Sequence, residues 1–206
     1  LRLNAGVFTL HFILMASFVG LPLVLEQSLG VDRGSHWKIY LPVLVLSVLG
    51  MLPLMVLAER LGRLRLALGL GISGLALSQL LATGLLGFGV FCLGLWLYFL
   101  TFNYLEAALP SLVSKAVYAG GKGTALGVYA TFQFLGAFAG GVCGGLALQA
   151  AGTWGVLVLC AGIAILWLPV ALSMRAPGNL ANHLLRLPAD GSAAEALLAR
   201  LGSAPG

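Results

Sequence analysis

Charge is what this chain has least of. Only 8% of its 206 residues are Asp, Glu, Lys or Arg, against about 25% in a typical soluble domain. Residues 66–105 carry no charge at all. As one helix that stretch would be roughly 60 Å long, twice a bilayer core of roughly 30 Å. It must therefore fold back, and Thr83-Gly84 with Gly87-Phe88-Gly89 supply the turn. Cysteine is scarce too. Cys92, Cys143 and Cys160 share no paired spacing, so no disulfide or metal framework is expected and no cofactor is called for. They read as small buried hydrophobes. No basic segment with a small-residue cleavage site leads the chain, which reads as the continuation of something longer.

What is abundant is apolar surface, at 60% of residues. Six apolar stretches of spanning length can be drawn, at 3–25, 39–58, 66–82, 87–104, 124–149 and 154–173. Backbone groups in lipid must be satisfied within their own segment, so each is expected to be a helix. Barrel strands would alternate apolar and polar residues, and these stretches do not. The expected fold class is an all-α integral membrane bundle over 1–175. A cytoplasmic tail follows at 176–206.

The loops give an orientation. One side receives Arg2, Arg60, Arg63, Arg65, Lys115, Lys122, Arg175, Arg186 and Arg200. The other receives only Arg33 and Lys38, offset by Glu26 and Asp32. The positive-inside rule puts the first group in the cytoplasm, with both termini. The formal net charge of +5 is thus orientation and lipid headgroup contact, and no nucleic-acid partner is expected.

Two segments carry a resemblance. Met55-Val-Leu-Ala-Glu59-Arg60-Leu-Gly62-Arg63-Leu-Arg65 resembles the signature loop G-x-x-x-D-R-x-G-R-[RK] of major facilitator transporters, with Met55 in place of the first glycine. Phe102-Asn103-Tyr104-Leu105-Glu106 through Pro110 and Lys115, then Lys122-Gly123-Thr124, Gly127, Tyr129, Gln133 and Gly136, resembles helices ten and eleven of the YajR-like group of that superfamily. The resemblance implies the C-terminal six-helix half of a twelve-helix transporter in a bacterial inner membrane. Its partners would be lipid, a small-molecule substrate, protons and the missing N-terminal half.

The same resemblance assigns sites. Helices lining the family's central cavity correspond to spans one, two, four and five here. His11, Tyr98, Asn103, Tyr129 and Gln133 lie on such spans and are the cavity candidates. Unperturbed histidine titrates near neutral pH, so His11 is a candidate for proton coupling or substrate contact. Glu59, Arg60, Gly62 and Arg63 form the candidate cytoplasmic gate. Glu59 and Arg63 share a face if the helix runs through the loop, and Glu106, placed at the end of span four, would complete an acid–base–acid cluster. Gly136, Gly140 and Gly144, spaced by four, suit close helix packing in lipid. Gly141 and Gly145 form a second pair.

Two look-alikes fall away. Gly69-Leu-Gly71-Ile72-Ser73-Gly74 fits G-x-G-x-x-G, but no strand precedes it and no acid follows before Glu106. Gly71-Ile72-Ser73-Gly74 also fits a six-helix intramembrane protease, which would need a histidine beside Ser73; residues 154–173 hold none. A non-transporting scaffold or sensor is the third reading. In the tail, 183–187 reads as a short strand. Ser192 and Glu195 make a capping box opening a helix at 193–201.

Overall fold

A computed structural model of the chain describes residues 2–117 and 121–173, all helix and connecting turns. The elements are α1 (Arg2–Leu23), a π-helical turn (Val24–Ser28), a 3-10 turn (Arg33–Ser35), α2 (Trp37–Glu59), α3 (Leu64–Leu81), α4 (Phe88–Ala116) and α5 (Lys122–Leu172). Five helices are thus long and apolar enough to cross a membrane. The strand and helix expected at 183–187 and 193–201 lie outside the described residues.

Prolines shape the helices without ending them. Pro42 and Pro53 sit inside α2, and Pro22 sits in the last turn of α1. The π turn follows Pro22 directly, as expected where a lost N–H disturbs the i→i−4 ladder.

The fourth helix differs from the expectation. Glu106 is not its end: α4 runs on through Glu106 and Pro110 to Ala116. A charge in an apolar run marks a boundary only when it faces water, and this one is half-buried.

The fifth helix has 51 residues, roughly 76 Å at 1.5 Å per residue. It breaks at Ala151 (φ −143°) and Gly152 (φ 66°). Its contacts with α1 show the chain reversing there. Gly136, Gly140 and Gly144 meet Phe8, Phe12 and Ala16 in ascending order. Beyond the break the order descends: Val156 meets Gly20, Cys160 meets Ile13, and Trp167 meets Gly6. The limb 122–150 therefore runs parallel to α1 and the limb 153–172 antiparallel to it. At Gly152 a residue with a side chain would be strained by the positive φ.

The core lies between α1, α3, α4 and the return limb. Leu10 and Ile13, Ile72 and Leu75, Phe91 and Leu95, and Val156 and Leu157 are fully buried. Helix α2 is different: Ser47 alone is buried along it, while Leu41, Val45, Leu49 and Leu52 stand exposed. In lipid an outward apolar face is solvated and carries no penalty.

Candidate functional site

His11 sits on α1, buried at 6% exposure. Its Nδ1 lies 3.1 Å from the Val7 carbonyl one turn back. A carbonyl only accepts, so Nδ1 carries the proton there and, in the neutral ring, Nε2 is left as an acceptor. Gln133 on α5 presents its amide nitrogen to that atom at 2.9 Å. Glu106 on α4 places Oε2 3.6 Å from the same atom. One imidazole thus joins three helices.

Neighbours on those helices complete the group. Tyr129 stands one turn before Gln133 on the same face, and its buried hydroxyl has no hydrogen-bond partner among the described residues. Phe102, one turn before Glu106, sets its ring edge against His11 at 6.0 Å and stacks on Tyr98 at 6.1 Å.

The arrangement has two proton states. Neutral His11 accepts from the Gln133 N–H and leaves Glu106 unbonded. A protonated ring has an N–H at Nε2, for which the Gln133 amide can turn its oxygen as acceptor and the Glu106 carboxylate at 3.6 Å is the counter-charge. Loading one proton therefore adds a charge attraction across the α1–α4 seam. Among charged groups Glu106 is the partner within 4 Å of the ring.

Of the other cavity candidates, Asn103 donates to Ser47 Oγ at 3.2 Å, and Ser47 donates to Leu44 O at 2.7 Å. This ties α4 to the sparsely buried α2. Replacing Asn103 with Leu should lower stability by about 0.6–1.7 kcal/mol, the range for hydrogen bonds between helices in lipid. Thermal melting in detergent would check it. Tyr98 is buried deeper and meets the His11 group through its stacking on Phe102. Nothing in the sequence singles out Ser47 or Ser17. Gln79 carried a usable signal, since it is the one amide side chain on α3.

At the end of the bundle that carries Glu59 the expected cluster does not assemble. Helix α2 stops at Glu59, Arg60 caps it, Gly62 turns with φ +63°, and Arg63 caps α3. Glu59 and Arg63 are therefore on no common helix face. Glu59 pairs with Lys115 at 3.4 Å instead, and Glu106 belongs with His11. Both partners of the Glu59–Lys115 pair are exposed, so replacing Lys115 with Ala should change stability by less than about 1 kcal/mol. The same melting assay reads it. At that end Arg2 also donates to the Ser173 carbonyl at 2.9 Å. At the opposite end Arg33 pairs with Glu26 at 2.7 Å, and Asp32 accepts from the Gly34 N–H.

Ser73 faces outwards from α3. The His11 ring is taken up by Val7, Gln133 and Glu106. No serine–histidine pair forms among the described residues. Gly69–Gly74 lies wholly within α3, where no phosphate-cradling loop exists.

No family model matches the chain. It is 36% identical over 202 residues to the inner membrane transport protein YajR of Escherichia coli (strain K12), covering 98% of this chain and 44% of that protein. An uncharacterized transporter of Buchnera aphidicola subsp. Baizongia pistaciae is 31% identical over 81% of this chain and 43% of its own length. A second, from Buchnera aphidicola subsp. Acyrthosiphon pisum, is 30% identical over 68% of this chain and 36% of its own. The chain spans less than half the length of each of these relatives. With five helices of spanning length and composition, it is a multi-pass membrane protein related along nearly its whole length to membrane transport proteins.

Proposed function

We propose that this chain is the C-terminal half of a major facilitator secondary transporter in a bacterial inner membrane. In this reading the α5 hairpin counts as two spans, making six, and both termini are cytoplasmic. Transport proceeds by alternating access, with the substrate between this half and an N-terminal half. The coupled ion is the proton and the direction is efflux of a small molecule.

The observation that carries the reading is the His11–Gln133–Glu106 group. Ionisable residues inside spans are expensive and are usually functional. Here an imidazole and a carboxylate face each other between three apolar helices, in a chain related to transporters. The attraction to Glu106 that His11 gains on protonation gives the proton a way to bias helix packing, which coupling requires.

The full-length protein in proteoliposomes tests it. With a pH-sensitive dye trapped inside, addition of small lipophilic substrates should drive proton movement across the membrane. Substrate binding with no proton movement would leave a binding scaffold as the reading. The gate is a separate proposal, in which the Arg60–Gly62–Arg63 turn, beside the Glu59–Lys115 pair, closes the cytoplasmic side. Replacing Arg63 with Ala should shift the resting state towards inward-open. Cavity cysteines equally accessible from the cytoplasm in wild type and variant would sink it.

A further inference from the structure

The turn between α2 and α3 gathers positive charge on a fixed frame. Arg60, Arg63 and Arg65 stand close together in the chain, and no Asp or Glu follows Glu59 before Glu106. Glu59 is itself paired with Lys115. Neither Arg60 nor Arg63 forms an ion pair among the described residues, and all three arginines are exposed. The turn is closed by its own backbone. The Leu61 N–H donates to the Val56 carbonyl at 3.2 Å, and the Arg63 N–H donates to the Leu57 carbonyl at 3.1 Å across Gly62. The arginine backbones are therefore in place before a ligand arrives, which lowers the ordering cost of binding.

An apolar row begins at the same place. Leu66, Leu70, Leu77 and Leu80 on α3 are exposed, and their spacing of three and four residues puts them on one helix face. Ser73, between Leu70 and Leu77, is exposed as well and leaves a shallow step in the row. From Leu66 to Leu80 the row is about 21 Å long at 1.5 Å per residue. That is longer than the roughly 15 Å of hydrocarbon in one leaflet. A soluble anion would use the arginines and leave the row to other lipids. A molecule with an anionic head and apolar chains uses both.

We infer that the α2–α3 turn holds one anionic phospholipid, with its headgroup at the arginines and an acyl chain along the α3 leucine row. Arg60 and Arg63 take the phosphate oxygens, for which the planar guanidinium is suited, and Arg65 adds charge. A zwitterionic headgroup carries its own cation into this cluster and is disfavoured by like-charge repulsion. Scattered basic residues attract a diffuse excess of anionic lipid, whereas this turn binds a single molecule. The inference rests on neither the gate nor the transport reading, since binding is read at equilibrium with no gradient.

Native mass spectrometry of the full-length protein in mild detergent, with phosphatidylglycerol or phosphatidylcholine titrated in, tests it. Wild type is expected to retain one more tightly held phosphatidylglycerol than the double variant Arg60→Gln, Arg63→Gln. The apparent affinity for that lipid should fall about 25-fold, from about fivefold for each arginine beside an anionic headgroup. Phosphatidylcholine retention should be the same in both proteins. If the double variant does not fold, Arg60→Gln alone carries the comparison, with the fivefold loss. Equal phosphatidylglycerol affinity in wild type and variant would overturn the inference. An equal loss for both lipids would overturn it too, because the site would then not select charge. Glycerol 3-phosphate in large excess should leave the lipid bound; displacement would assign the turn to a soluble anion and overturn the lipid.

Discussion

His11→Gln should cut pH-driven transport by the full-length protein to the level of empty liposomes. Glutamine keeps a hydrogen-bonding group facing Gln133 but cannot carry a proton. The bond between α1 and α5 then persists in one form, and Glu106 never gains its partner. Substrate exchange at equal pH on both sides does not require the proton and should survive. The two assays together are decisive. Wild-type rates in the pH-driven assay would remove His11 from coupling, whereas loss of both activities would point to a folding defect. Glu106→Gln should show the same split, because a neutral amide gives the imidazolium no counter-charge.

Gly140→Ala is the second large effect, and it concerns stability. A Cβ at this position meets the carbonyl of Phe12, which is backbone and cannot swing aside. The same holds at Gly136 against Phe8, and a Cβ on Gly144 comes within 2.8 Å of Ala16 Cα. One added methyl therefore forces α1 and the parallel limb apart along the whole seam. Overpacking of this kind costs about 1–3 kcal/mol, and the lost contact at Gly136 and Gly144 adds to it. A Cβ at Gly162 meets nothing within 4 Å, so Gly162→Ala should be neutral or slightly stabilising. Melting of the two variants in one detergent compares them directly. Equal melting temperatures would show that the seam is slack.

The parts of the molecule legible in its sequence are those that depend on composition. Runs of apolar residues with no charge become helices because lipid leaves the backbone no other way to bond. The break near Gly152 was visible as the gap between 149 and 154. The glycine spacing marked the face of α5 that meets α1. Long-range pairing was not legible. Nothing local says that Ser17 meets Gln79, 62 residues away, or that Glu106 turns to His11. Glu106 looks like the end of a span in the sequence because it is the first charge after residue 65, whereas α4 carries it inside and runs on to Ala116. The Glu59–Arg63 face failed for a similar reason: it assumed a continuous helix across Gly62, which turns the chain instead.

The embrace of α1 by both limbs of α5 has a consequence for biosynthesis. Gln133 is made 122 residues after His11. At bacterial and eukaryotic elongation speeds that separation is roughly 6–24 s. Throughout that interval α1 lacks its Gln133 partner and its Phe8–Ala16 flank is uncovered by the glycine face of α5. The first helix synthesised in this region is the last to be locked in place. Truncation before residue 153 would leave it half-clasped, with the flank that meets Val156, Cys160 and Trp167 left to lipid.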